Sequence, residues 1–262
     1  MNEFSLKDKV IVVTGAAGIL GTCFCNALLS DGAKVAALDA NSDSLEQLAK
    51  QANSDLLTTF CVDIRDKSLL TKIHADIRKR WGEVDGLLNN AGSKSPNFFE
   101  PFETFPIEDW DHVMSVNVTG AVTCCQEFGS AMAKNGRGSI VNIMSIYGVV
   151  APDQRIYEGS EYNGRSINTP AVYSASKAGL WGLTMYLSSY WGAKGVRVNA
   201  ISPGGVYSGQ NETFQQRYSQ RVPMGRMGKA NEMCGALIYL LSDAADYVTG
   251  QNIAVDGGLT VW

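Results

Sequence analysis

Tyr173 and Lys177 stand four residues apart in a strongly helical stretch, so their side chains share one helix face. A phenol beside an ammonium is a natural general acid and base. The positive charge favours the phenolate and draws a pKa near ~10 toward the working range. On its own the pair is explained as well by a part-buried tyrosine with a surface lysine, a combination many helices contain. Thr14–Gly21, reading TGAAGILG, adds a second chemistry because it follows a β-branched run and opens a helical pattern. Glycines at such a turn let the backbone approach a pyrophosphate, which the amides at the helix start receive. Asp39 ends the next strand-like run, where a carboxylate accepts hydrogen bonds from the adenosine ribose. The same carboxylate repels a 2′-phosphate, and Ala16, Ala17, Ala40 and Asn41 offer no cation to neutralise one, so NAD is expected over NADP. Capping of the following helix is the other role open to Asp39.

These residues need elements that bring them together. Strand-like runs at 9–14, 33–39, 57–63, 84–89, 138–145, 196–202 and 252–256 alternate with helical patterns at 18–29, 42–53, 68–81, 108–134, 172–191 and 231–241, with Ser42 as an N-cap. Strands separated by helices, with no break in composition, predict an α/β fold over residues 1–262: a single-domain Rossmann-type doubly wound parallel sheet flanked by helices. Segments 151–171 and 204–230 depart from the alternation. Both are polar and follow the carboxyl end of a strand, where open α/β sheets bind ligands, so they are expected to form an inserted loop and a substrate-binding lid. Solvated surface insertions are the alternative.

Composition excludes several classes. With 22 Lys+Arg against 26 Asp+Glu the net charge is −4, which leaves no basic face for a nucleic acid. Hydrophobic residues make up 45% of the 262, enough for a sizeable core. No apolar run reaches the ~18 residues of a membrane span, and MNEFSLKDKV has no signal core, so a soluble, cytoplasmic protein is expected. The six cysteines lack paired zinc-site spacing and are expected to be buried reduced thiols; with only His74 and His112, no metal centre is expected.

Thr14–Gly21, Asn89-Asn90-Ala91-Gly92, Asn117 within Val116–Gly120, Ser145, Tyr173-Ser-Ala-Ser-Lys177, Arg197–Gly204 and Val255–Gly258 occur in the order and approximate spacing of the short-chain dehydrogenase/reductases. The chain resembles that family over essentially its whole length. The resemblance implies that Tyr173 exchanges a proton with the substrate oxygen, that Lys177 lowers the tyrosine pKa and holds the nicotinamide ribose, that Ser145 orients the reacting oxygen, and that Asn117 positions a relay water. It also implies cofactor contacts at Gly15, Gly18, Ile19, Gly21 and Asp39, an adenine pocket at Asp63 and Ile64, a cofactor-side turn at Asn90, Ala91 and Gly92, and a nicotinamide side at Pro203, Gly204 and Val206, with Tyr173 and Lys177 also touching the cofactor. Family members form homo-oligomers, dimers or tetramers, through helices such as 108–134 and 172–191.

Two departures stand out. The family pattern TGxxxGxG has its middle glycine one place early, at Gly18. Between Ser145 and Tyr173 lie about fifteen more residues than the family's spacing. This insertion must loop outward for the catalytic groups to meet, and it would overhang the substrate pocket. Its hydrophilic content suits a polyhydroxylated substrate, and Arg155, Arg165, Arg217 and Arg221 are candidates to grip a phosphate or carboxylate. With Ser202–Phe214 and Tyr247–Gly258, the inserted form resembles dehydrogenases of flagellin and surface-glycan modification, including those linked to legionaminic-acid-type sugars, which implies a sugar or sugar phosphate. The expected function is thus an NAD-dependent alcohol dehydrogenase or ketone reductase acting on a small polar substrate. A 3-oxoacyl thioester reductase and a non-catalytic dinucleotide sensor are the alternatives.

Overall fold

In the computed structural model, which describes residues 3–162 and 164–262, Val10–Thr14 (β1) is buried at every position, as a strand covered on both faces must be. Then follow α1 (Ile19–Ser30), β2 (Lys34–Asp39), α2 (Ser42–Ala52), β3 (Leu57–Cys61), α3 (Lys67–Trp81) and β4 (Gly86–Asn89). A long helical stretch joins α4 (Ile107–Met114), α5 (Ala121–Cys124) and α6 (Ser130–Asn135) through π-helical turns at Ser115–Gly120 and Cys125–Gly129, and β5 (Gly138–Ile143) comes next. The short strands β6 (Glu161–Tyr162) and β7 (Arg165–Ser166) precede α7 (Ala171–Gly192), β8 (Val196–Pro203), α8 (Glu212–Ser219), α9 (Cys234–Leu241) and β9 (Asn252–Val255).

Seven strands form one parallel sheet in the order β3-β2-β1-β4-β5-β8-β9. The order runs outward in both directions from β1 and β4, so the connections after these strands diverge and leave a crevice at their carboxyl ends. Period-two alternation divides the core. Ile11 and Val13 join Phe24 and Leu28 of α1 and Leu237 and Leu240 of α9. Val10 and Val12 join Leu70, Ile73 and Ile77 of α3, Phe128, Met132, and Leu187 and Trp191 of α7.

Several boundaries differ from the sequence reading. Asn41, not Ser42, caps α2: its side chain accepts from Ser44 N at 3.0 Å, leaving Ser42 as the first helical residue. Segment 204–230 contains α8, capped by Asn211, which buries only Phe214 and Tyr218 and so shows little apolar periodicity. Segment 151–171 holds a 3₁₀ turn at Gln154–Tyr157 and the antiparallel β6–β7 hairpin. Cys61 is exposed where a buried thiol was expected, because it ends the edge strand β3. Among the described residues no helix is long and apolar enough to cross a membrane.

Candidate active site

The turn after β1 is built by contacts that only glycine permits. Gly15 adopts φ +60°, and a Cβ there would lie 2.7 Å from Ala91 Cα. Asn90 Nδ2 donates to the carbonyls of Thr14 at 3.1 Å and Gly15 at 2.9 Å, while Thr14 Oγ1 accepts from the amides of Asn90 and Ala91, both at 3.1 Å. The turns after β1 and β4 are thereby locked together. Asn89, by contrast, is structural: its Nδ2 donates to Asn142 Oδ1 at 2.8 Å and ties β4 to β5. Gly18 is the N-cap of α1 with an ordinary φ of −75°, and a Cβ there would meet only Gly15 O at 3.5 Å. The shifted glycine therefore faces open space. The position the family reserves for its middle glycine carries Ile19, 58% exposed.

Asp39 is fixed at the rim by two backbone donors, Ala17 N to Oδ2 and Asn41 N to Oδ1, each at 3.0 Å. Each carboxylate oxygen keeps a further lone pair for a ligand. Gly15, Gly18, Ile19, Gly21, Asp39, Asp63, Ile64, Asn90, Ala91 and Gly92 line one cavity of about 550 Å³. Arg65 lines it too and was missed by looking only beside Gly15 and Asp39. Its Nε donates to Asp63 Oδ1 at 2.9 Å, and this pairing holds the Asp63 carboxyl below the usual carboxylate range.

The proton-transfer candidates meet at the next cavity. Ser145 follows β5 and caps a 3₁₀ turn, accepting from Tyr147 N at 3.2 Å. Tyr173 and Lys177 lie on the first turns of α7, with Lys177 Nζ 5.8 Å from the Tyr173 ring centre and donating to Ile143 O at 2.8 Å. Asn117 sits in the first π-helical turn; its Nδ2 donates to Ser176 Oγ at 3.0 Å and its Oδ1 accepts from Ser93 N at 2.9 Å. Tyr173 departs from expectation. Burial pushes its phenol above the ordinary value, and a hydrogen bond with Ser145 offsets this only in part. The Lys177 ammonium donates to the Ile143 carbonyl, and burial brings its own pKa down to about 8. With Tyr173 taken as the base, alcohol oxidation would need the phenolate, so its kcat is expected to rise about tenfold per pH unit from roughly pH 6 to 8, while ketone reduction, which would need the phenol, stays flat. Profiles in both directions check this; an oxidative optimum below neutrality contradicts it.

Asn117, Ser145, Tyr173, Lys177, Pro203, Gly204 and Val206 line this second cavity, of about 420 Å³. It shares Leu20, Asn90, Gly92 and Ser93 with the first, so the two form one groove. The inserted segment contributes Tyr157, Tyr162, Ile167, Asn168 and Thr169 to the wall, and the segment after β8 contributes Ser208, Gln210, Phe214 and Tyr218. Asn168 Nδ2 donates to Phe99 O at 2.7 Å, while its buried Oδ1 has no partner among the described residues. The arginines proposed as anion grips do not line the cavity. Arg155 and Arg221 both pair with Asp153, Arg217 donates to the backbone of Arg155 and Glu158, and Arg165 lies on the exposed hairpin strand. Arg155, Arg217 and Arg221 brace the segment from outside. Lys94, Phe98 and Phe99 complete the wall from a stretch that periodicity had left unassigned.

A family model described as Enoyl-(Acyl carrier protein) reductase matches residues 15–260. The fold superposes on a short chain dehydrogenase from Leptospira borgpetersenii with bound NAD+, at a TM-score of 0.87 and 34% identity, covering 98% of this chain and 95% of that one. The chain belongs to the short-chain dehydrogenase/reductase family. This short-chain dehydrogenase is also similar to D-threitol dehydrogenase of Mycolicibacterium smegmatis, 32% identical over 99% of this chain and 95% of the relative. It is 30% identical to the 3-oxoacyl-[acyl-carrier-protein] reductase of Thermotoga maritima, over 98% and 99% of the two chains. It is an oxidoreductase of the alcohol dehydrogenase and ketoreductase type, acting on CH–OH groups with a nicotinamide cofactor.

Proposed function

We propose that this short-chain dehydrogenase transfers a hydride between NAD and a secondary alcohol or ketone of a polyhydroxylated substrate, a sugar, polyol or sugar phosphate. The carrying observation is that Ser145, Tyr173 and Lys177 meet in one half of a groove whose other half is lined by Gly15, Gly18, Ile19, Gly21 and Asp39. NAD, when bound, supplies a ring carbon that accepts the hydride. Gly15, Gly18, Ile19 and Gly21 with Asp39 would hold its pyrophosphate and ribose, and the open space at Gly18 fits such a group. Ser145 Oγ holds the reacting oxygen, Tyr173 Oη takes the alcohol proton as the carbon loses hydride, and Lys177 holds the nicotinamide ribose. Asn117, braced by Ser176 and Ser93, positions a water that passes the proton on toward Lys177.

Support for a hydroxylated substrate comes from the wall itself, where the buried Asn168 Oδ1 has no partner among the described residues, a polar group that an acyl chain would leave unmet. That weighs against a 3-oxoacyl reductase, as Asp39 weighs against NADP. A finer proposal is a sugar of the surface-glycan, legionaminic-acid type, supported by the inserted segment's likeness to dehydrogenases of flagellin modification. We further propose a cytoplasmic homo-oligomer, with Met185, Tyr186 and Tyr190 of α7, all exposed, at its interface.

A screen of polyols, sugars and sugar phosphates with NAD and NADP, read by the absorbance of the reduced nicotinamide, tests the reading. NAD is expected to be favoured by about 30-fold or more in kcat/KM, and Asp39→Ala to narrow that ratio to about fivefold or less. Equal use of NADP by the unaltered enzyme, with Arg65 released from Asp63 to meet the phosphate, would overturn the assignment.

A further inference from the structure

Among the described residues, the wall of the substrate cavity carries two ammonium groups and no carboxylate. Lys177 is engaged with Ile143 O and belongs to the proton-transfer machinery. Lys94 has no such employment. Its Nζ lies over three aromatic rings, 5.9 Å from the centre of Phe98, 5.4 Å from Phe99 and 5.3 Å from Tyr162. No acidic side chain pairs with it and no acceptor takes its hydrogen bonds among the described residues. Aromatic faces steady an ammonium without neutralising it, so three N–H donors and a full charge remain for a ligand. The box comes from two parts of the chain: Phe98 and Phe99 from the loop after β4, and Tyr162 from the hairpin of the inserted segment. One of its rings reaches the reaction centre, since Phe98 packs edge-on against Tyr173 with ring centres 6.3 Å apart. A single ring therefore stands between the cation and the Tyr173 ring.

We propose that Lys94 is a specificity-determining residue that binds an anionic group, a carboxylate or phosphate, carried by the hydroxylated substrate away from the carbon that reacts. The proposal rests on the polyol-type reading above and narrows it: neutral polyols fill the groove without answering its charge, and cationic sugars are repelled by both lysines. Asn168, hydrogen-bonded to the Phe99 carbonyl, anchors the inserted segment beside the aromatic box.

The test is calorimetric titration of the enzyme loaded with NADH, which forms a dead-end complex with an alcohol, so that binding is read whether or not turnover occurs. The titrants are D-gluconate and D-galactonate, their alditols D-glucitol and galactitol, and D-gluconate 6-phosphate. At least one anion is expected to bind about tenfold or more tightly than its neutral counterpart, the range of a charge-assisted contact. The carboxylate and phosphate arms show which group Lys94 takes. Lys94→Met is expected to erase the preference while leaving alditol and NADH affinity within about threefold, and Lys94→Arg to restore most of it. Alditols binding as tightly as the anions, no binding of any anion, or a preference that survives in Lys94→Met would each overturn the proposal. A failed turnover screen beside anion-selective binding would instead count against the proposed NAD-linked polyol reaction alone.

Discussion

Tyr173→Phe is expected to lower kcat by about 10²–10⁴-fold while the NADH dissociation constant stays within about threefold. The substitution removes one oxygen and leaves the ring, so the edge-on packing against Phe98 and the place of Lys177 are kept. What is lost is the phenol proposed to take the alcohol proton. Ser145 remains to orient the oxygen, but a serine hydroxyl is far too weak an acid to replace a phenol. Stopped-flow turnover with the substrate found in the screen, beside fluorescence titration with NADH, separates the two effects. Retained turnover would place proton transfer elsewhere, and a parallel loss of NADH affinity would make Tyr173 a binding residue.

Gly21→Ala is expected to cost stability and cofactor affinity together. The added Cβ would lie 2.0 Å from Gly15 O and 2.8 Å from Ala16 Cα. Both neighbours are backbone, so no side chain can swing aside and the turn itself must open. Overpacking usually costs ~1–3 kcal/mol, and a backbone clash falls at or beyond the upper end. For a chain of this length the Tm should drop by about 6 °C or more, and NADH affinity by about tenfold or more as the turn at Gly15 is displaced. Gly18→Ala is the control. Its Cβ meets nothing closer than 3.5 Å, so Tm should hold within about 2 °C, while NADH binding is expected to weaken, because Gly18 lines the cavity proposed to hold the pyrophosphate. An unchanged Tm in Gly21→Ala would mean that α1 can slide away from β1.

The sheet was legible because buried parallel strands must be apolar on both faces, as Val10–Thr14 is, and such runs admit no other reading between helices. Tyr173 and Lys177 were legible as a pair through helical spacing, and as a site through the motifs around them. Arg65 was not. It reaches the cofactor cavity only because β2 and β3 pair in a register that sets Asp39 opposite Cys61, which carries residues 63–65 to the same rim. Lys94 was hidden for a related reason: a lysine in a loop gives no periodic signal, and its aromatic box closes only when a hairpin far along the chain folds over it. The arginines of the insertion failed the opposite way. Their charge was plain in the sequence, but Asp153 is near enough to engage both Arg155 and Arg221, which turns two candidate ligands into braces.

Ser145 takes its position from β5 and Tyr173 from α7, two elements seated in the main core, while everything between them departs from the sheet and returns to it. Part of the substrate wall thus comes from a segment distinct from the elements that carry Ser145 and Tyr173. An engineer could graft a different hairpin between residues 151 and 170, retuning which alcohol is accepted while the scaffold keeps its hydride geometry.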